Sequence, residues 1–404
     1  MPKVDNEGKP GRGKAELTVG QLQSWHLLKE FRAVLGKTAP SPARVRPAGG
    51  PERLLEEEDY LCAFLFAQFN PVITSMRALC ACSKLKRVRE DVCSRPISLG
   101  SFSEAQGVFG HARLEEVFKR LVEENRRAGL AGRAGVPDEL AMLDLVDSSV
   151  FRALPRMAWA EWRYQNRTQC AVRLHLQFNL LEEEPSGALV SEARLCERKA
   201  FARMVKPDGF YVGDRNYSRD YELLNSLEEI GCGYIIRLCE NADLTVIEDL
   251  PIDASDRAAG VVSDRIVRLG SRKRWYCGPV RVVRIEKPEL DEPLLLVTNR
   301  LDPNIFSAAL VGEIYHQRWA IELFFRWIKC VLGRPNRWHW LAESAEGVHI
   351  QIYSALIAAL LLSRRLGRLP SKRCMEMLQF HSMGMADDEE LEAFLQEQMR
   401  KRST

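Results

Sequence analysis

From about residue 140 the apolar residues change their spacing from helical to alternating, and that change of period limits the architecture of this chain more than anything else in it. Apolar side chains three or four apart share one side of a helix, whereas side chains two apart share one face of a strand. LAMLDLVDSSVF is an apolar run ending in polar residues, CAVRLHLQFNL sets Val172, Leu174, Leu176 and Phe178 on one face, and ALVSEARL is a third strand candidate. ERKAFARMVK then reads as a helix, GFYVGDRNY as a buried strand ending at an acid, SRDYELLNSLEEIG as a helix and GYIIRL as a fifth strand. This order predicts an α/β domain with helices laid on a sheet.

Three strands, then helix, strand, helix and strand, is the order of a ribonuclease-H-like core, expected here over residues 136–340. Residues 240–292 (LTVIEDL, RIVRLG, RKRWYCG, VRVVRIEK) interrupt it and read as a β-rich insertion. PLLLVTN is a further strand, followed by one long helix over about residues 307–331. Residues 341–404 read as a helical C-terminal region and a candidate dimerisation element.

Ahead of the sheet, residues 1–17 read as a disordered basic tail and residues 18–135 as a helical, candidate DNA-binding region. Leu22, Trp25, Leu28, Val34 and Leu35 mark one amphipathic stretch, and Leu61, Phe64, Leu65 and Phe69 another. Asn70 and Pro71 are expected to open the next helix, and Ser101 with Glu104 to form a capping box. Thr38–Pro51 is a Pro/Gly/Ala-rich connection. Lys84, Lys86, Arg87 and Arg89 form a basic cluster, either a solvated helix end or a DNA-reading element.

The candidate chemistry lies in carboxylates. Asp147 follows LDLV and Asp214 follows FYVG, and an acid closing an apolar strand needs a partner or a cation. On an unbroken helix Tyr315, Arg318, Glu322 and Lys329 fall within a stripe about 60° wide, turned away from Ile321, Phe324, Phe325 and Ile328. An i,i+4 pair of Arg318 and Glu322 on an ordinary amphipathic helix accounts for the stripe alone, but not for the two aspartates as well. Three carboxylates from two strands and a helix make a hard oxygen site suited to two Mg²⁺ ions, with Mn²⁺ as a surrogate. Asp144 competes with Asp147 for the first position, and the two point to opposite faces of an extended strand.

The spacing of Tyr315, Arg318, Glu322 and Lys329 resembles the YREK signature of the bacterial insertion-sequence family 4 transposases. GFYVGDRNY and LVDSSVF resemble that family's second and first motifs. The resemblance implies a metal-dependent DDE transposase: an endonuclease that cleaves at terminal inverted repeats and transfers 3′-hydroxyl ends into target DNA, as a homodimer in a synaptic complex. Asp147, Asp214 and Glu322 would hold the metals, and Tyr315, Arg318 and Lys329 would contact phosphates, with Arg215 and Arg326 as further DNA contacts. Trp275, flanked by Arg272, Lys273 and Arg274, is the candidate for holding a flipped base, as is Tyr276. A transposase-derived DNA-binding regulator and a structure-selective nuclease remain alternatives on the same residues.

The bulk composition neither supports nor opposes this. The net charge is only +3, so DNA affinity must come from local patches such as residues 1–50, with nine Lys or Arg against four acids. Eleven cysteines contain no CxxC pair, which fits a reducing bacterial cytoplasm better than a zinc site or a disulfide framework. The apolar run Ile352–Leu362 falls short of the roughly 20 residues a membrane span needs and is expected to be a buried helix, with no membrane partner.

Overall fold

The computed structural model describes residues 24–40, 55–130, 142–164, 167–271, 274–334, 337–338, 340–367 and 369–400. The expected tail over residues 1–17, most of Thr38–Pro51, and Arg272 and Lys273 lie outside the described residues.

The N-terminal helices are α1 (Ser24–Leu35), α2 (Glu57–Phe69), α3 (Met76–Cys82), α4 (Lys86–Asp91), α5 (Leu99–Val108) and α6 (Ala112–Leu130). Ser75 and Ser98, not Asn70 and Ser101, start α3 and α5: each hydroxyl accepts from the backbone N–H three residues on, at 3.1 and 3.0 Å. Asn70 instead ends α2, its side-chain amide donating back to the Phe66 carbonyl at 2.8 Å. The basic cluster on α4 is partly answered along its own helix, Lys86 by Glu90 and Arg87 by Asp91.

Among the described residues ten strands form one mixed sheet in the order β2-β3-β1-β5-β6-β10-β9-β8-β7, with β4 also paired to β3. The first four are β1 (Leu143–Arg152), β2 (Glu161–Tyr164), β3 (Arg167–Asn179) and β4 (Glu184–Glu192), all joined antiparallel through β3. After α7 (Glu197–Ala202) come β5 (Phe210–Gly213), α8 (Tyr221–Glu229) and β6 (Gly233–Arg237), and β5 and β6 run parallel to β1. The strands and helices thus follow the expected order, with the short β2 as an additional strand that the sequence reading did not include.

The region read as an insertion is continuous with this sheet. β7 (Leu244–Asp249), the short helix α9 (Ala254–Ala258), β8 (Val261–Ser271) and β9 (Arg274–Ile285) join it through β10 (Leu294–Thr298), which pairs β6 antiparallel. At the centre of that extension Arg281 is fully buried and donates to Asp264 at 2.8 and 2.6 Å.

The long helix expected over residues 307–331 is two helices, α10 (Ala308–His316) and α11 (Trp319–Leu332). The backbone tightens between them: the Arg318 N–H goes to Tyr315 three residues back, at 3.0 Å, and α11 starts with Ala320 N–H on Gln317 at 2.9 Å. The chain closes with α12 (Ala345–Leu366), α13 (Lys372–Ser382) and α14 (Asp388–Arg400).

The sheet is covered on both faces. Alternation puts Leu145, Phe178 and Val212 on one face with Phe324 and Ile328 of α11, where the Phe178 and Phe324 rings lie 5.5 Å apart. Val146, Tyr211 and Ile236 point the other way, under Phe201 of α7 and Leu224 and Leu227 of α8. The apolar run at Ile352–Leu362 belongs to a longer helix, since α12 has 22 residues, enough in length and apolarity to cross a membrane. Yet 83% of its apolar window is buried inside the protein, against α1, α2, α6, α11 and β4. A helix apolar on all sides is accounted for by that central position.

Candidate active site

Parallel strands bring the first two acids together. The β1–β5 ladder ends at the pair Val146↔Gly213, so the next residue on each strand is an aspartate, Asp147 and Asp214. Strand β1 does not stop there: it stays paired with β3 through Arg152. Asp147 is thus a mid-strand residue at the point where one neighbour leaves, rather than the strand end read from the sequence. Where β5 ends, the chain turns back on itself, and Asp214 accepts the Asn216 backbone N–H at 2.9 Å.

Asp147 lies on the sheet face that α11 covers. On the same face Phe151, four residues on, has the Lys329 ammonium 5.5 Å from its ring centre. Arg318, in the bend between α10 and α11, reaches both sides: one terminal nitrogen donates to Glu322 Oε1 at 2.7 Å and the other stands 3.8 Å from Asp147 Oδ2. Its guanidinium carbon lies 6.0 Å from the Tyr315 ring centre. The bend therefore replaces the single helical stripe: Tyr315 belongs to α10, Arg318 to the turn, and Glu322 and Lys329, two turns apart, share one side of α11. Glu322 sits in the first turn of α11, where the helix dipole favours a carboxylate.

Burial holds both aspartates above the usual carboxylate range. Burial, assisted by the neighbouring Asp214 and Glu197 charges and opposed by Ser148 N–H and Arg318, pushes the Asp147 carboxyl up to about 7. Burial and Glu197 raise Asp214 as well. Burial also lowers the Lys329 ammonium and raises the Tyr315 phenol. Two partly buried carboxylates, both raised by burial and by the Glu197 charge, are a donor set that a hard divalent cation satisfies. Asp214 Oδ2 has no hydrogen-bond partner among the described residues. Glu322 is engaged by Arg318, and among the described residues no three His, Cys, Asp or Glu side chains already converge on one point. The chemistry of the two aspartates fits a hard divalent cation, whereas Glu322 is held by Arg318.

Asp144 lies on the opposite face, buried, accepting from Ser186 Oγ at 2.8 Å and Asn179 Nδ2 at 3.3 Å, with its carboxyl raised by burial. The remaining sequence candidates are dispersed. Arg215 pairs with Glu292 at 3.3 Å, as does Arg237 at 3.2 Å, at the end of β6 nearest Asp214. Arg326 is exposed and stacks 4.8 Å over Trp319 on the outer side of α11. Trp275 is not brought to the carboxylates. Thr298 aligns with both Ile235 and Arg281, and Trp275 lies six residues from Arg281 along β9, away from the Gly213 end of the sheet, about 20 Å on an extended strand. It is 62% exposed there, its carbonyl accepting from Asn225. Tyr276 is buried beside it and donates to Glu228 at 2.8 Å.

Sequence reasoning missed Glu197, in the first turn of α7. Its carboxylate accepts from Ser148 Oγ at 2.6 Å, Arg173 at 2.7 Å and Asn216 Nδ2 at 2.7 Å. Only its place at the start of a short helix between two acid-bearing strands distinguished it in the sequence.

Comparison with known proteins places the chain among transposases. A protein named as a transposase, y4zB of Sinorhizobium fredii, is 26% identical over 247 residues, covering 60% of this chain and 66% of the relative. The transposase named for insertion sequence element IS5377 of Geobacillus stearothermophilus is 26% identical over 221 residues, 54% of this chain and 55% of the relative. The chain thus spans just under two thirds of one relative and just over half of the other. The piggyBac transposase, solved by cryo-EM as a synaptic complex with hairpin DNA, aligns over 96% of this chain and 80% of its own, at a TM-score of 0.41 and 11% identity, too distant a likeness to fix fold or function. The model of the family described as "Transposase DDE domain" matches residues 144–361, more than half of the chain and all three carboxylates, and the chain belongs to that family.

Proposed function

We propose that this chain is the catalytic subunit of a cut-and-paste DNA transposase of the YREK type of insertion-sequence family 4, with a ribonuclease-H-like core built on β1, β3, β4, β5 and β6. The observation that carries the reading is the meeting of Asp147 and Asp214 at the end of one parallel ladder, with Arg318 standing between Asp147 and Glu322. In this reading residues 18–135 contribute to DNA binding, residues 136–340 to catalysis and residues 341–404 to pairing of two copies, in the bacterial cytoplasm.

Asp147, Asp214 and Glu322 would hold two Mg²⁺ ions, or Mn²⁺ in their place. When bound, such ions supply Lewis-acid activation of the attacking hydroxyl and neutralise charge at the leaving oxygen. The protein's own part is placement. Arg318, Tyr315 and Lys329 would contact DNA phosphates beside the carboxylates, and a phosphate drawing Arg318 away would free Glu322. In cleavage, water oxygen bonds to phosphorus and the bridging oxygen leaves as a 3′-hydroxyl. In joining, that 3′-hydroxyl oxygen bonds to a target phosphorus and the target strand's own bridging 3′-oxygen leaves as a hydroxyl. Both steps are in-line displacements needing no covalent protein intermediate.

Purified protein, DNA carrying the element's terminal repeats and Mg²⁺ should yield strand cleavage followed by end joining. Glu322→Ala should lower cleavage by at least about a hundredfold, the scale of losing several kcal/mol of charge stabilisation, while DNA binding persists. Equal cleavage by that variant overturns the assignment. Cleavage of branched DNA without end joining would instead identify a structure-selective nuclease, and binding without turnover in either metal a regulator.

A further inference from the structure

We infer that Glu197 is a positioning residue that sets the spacing of Asp147 and Asp214, from the sheet face opposite the one Asp147 faces. The inference rests on the reading of those aspartates as metal ligands. Backbone pairing fixes the two strands only as far as Val146↔Gly213. Beyond that pair the chains part, β1 continuing beside β3 and the other turning away through Asn216 and Tyr217. Glu197 ties the separating chains together. One oxygen accepts from Ser148, directly after Asp147, and the other from Asn216, two residues after Asp214.

The geometry assigns it to holding and not to ligation. Both oxygens are already taken by donors within 2.7 Å, and Arg173 on β3 supplies the countercharge. These are charge-assisted bonds, shorter and stronger than neutral ones. The helix that carries Glu197 is itself anchored: α7 packs on β1 and β3, and the Phe201 ring lies 5.0 Å from Tyr211 and 5.4 Å from Tyr217. Mg²⁺ demands near-ideal octahedral geometry whereas Ca²⁺ tolerates variable geometry, so a loosened aspartate spacing should penalise Mg²⁺ selectively.

The test is Mn²⁺ binding to the full chain, followed by electron paramagnetic resonance with Mg²⁺ and Ca²⁺ as competitors. In Glu197→Gln an amide NH₂ replaces the oxygen that accepts from Asn216. Groups that orient metal ligands typically account for about 10- to 100-fold in affinity, so Mg²⁺ affinity should fall about tenfold or more with a smaller loss for Ca²⁺. Wild-type Mg²⁺ affinity in this variant overturns the inference. So does an equal loss for both ions, which marks a general structural defect. If Glu197→Gln does not fold, Ser148→Ala and Asn216→Ala each remove one arm and should each give part of the Mg²⁺-selective loss; wild-type affinity in both overturns it. If the wild type binds no metal, or Asp147→Asn binds as the wild type does, the reading of the aspartates fails first and the role of Glu197 falls with it.

Discussion

Glu322 Oε1 accepts a hydrogen bond from Arg318 at 2.7 Å, across the bend that separates α10 from α11. The same guanidinium faces Asp147 at 3.8 Å, so one cation serves two carboxylates. Lysine cannot reproduce that fork, being a single point charge. Arg318→Lys should therefore leave one carboxylate unanswered and raise the pH below which metal binding is lost. A metal-binding profile unchanged between about pH 5 and 8 would contradict this.

The pH dependence of Asp147 has a definite sign. Its carboxyl is raised from 3.8 to about 7, chiefly by burial, so its contribution to stability is present below about pH 4 and is lost as pH rises through about 7. In the metal-free protein at about pH 8, Asp147→Asn should therefore raise the melting temperature by a few degrees while abolishing cleavage. Metal affinity of the wild type should run the other way, falling up to about tenfold per pH unit below about 7 as a proton competes for the site. Calorimetry across that range reads both effects.

Lys329 gives a separable expectation for DNA. Its ammonium lies above Phe151 and is partly desolvated, on the Glu322 side of α11. If it contacts one phosphate, Lys329→Ala should weaken binding of all DNA sequences alike and reduce the slope of log affinity against log salt by about 0.9. An unchanged salt slope would remove it from the interface.

Phe324 fastens α11 to the sheet, stacking near Phe178 and Trp327 with no exposure of its own. Phe324→Ala should cost about 3–5 kcal/mol in urea unfolding and loosen the helix that carries Glu322. A loss below about 1 kcal/mol would mean that the sheet face closes over the cavity.

Arg281 and Asp264 are a buried pair remote from the carboxylates. Arg281→Met alone should destabilise by about 3–5 kcal/mol by stranding Asp264, whereas Arg281→Met with Asp264→Leu should recover most of that. Additive losses in the double variant would show that the pair is not coupled.

What could be read in the sequence was local. Period-two runs such as Val172, Leu174, Leu176 and Phe178 gave the strands, and acids at LDLVD and FYVGD drew attention because burial makes them costly. The bend at Arg318 escaped because Gln317 and Arg318 are good helix formers, and only tertiary packing breaks the periodicity there. Strand β4 starts earlier than ALVSEARL suggested, at Glu184, through a Pro-Ser-Gly stretch that reads as a turn. Pro185 is tolerated because β4 pairs β3 on one side and helices lie beside it, and a Cβ at Gly187 would require the Gln177 side-chain amide to move. Glu197 was invisible for the same reason: its partners Ser148, Arg173 and Asn216 belong to three separate segments.

The central placement of α12 also sets an order of events during synthesis. Helices α2 and α6 both pack against a helix that ends at residue 366. At translation rates of about 5–20 residues per second, α2 leaves the ribosome roughly 15 to 60 s before its partner does. During that interval the surface it buries against α12 is open to chaperones and to neighbouring nascent chains, and any message truncated ahead of residue 345 leaves α2 and α6 without that partner.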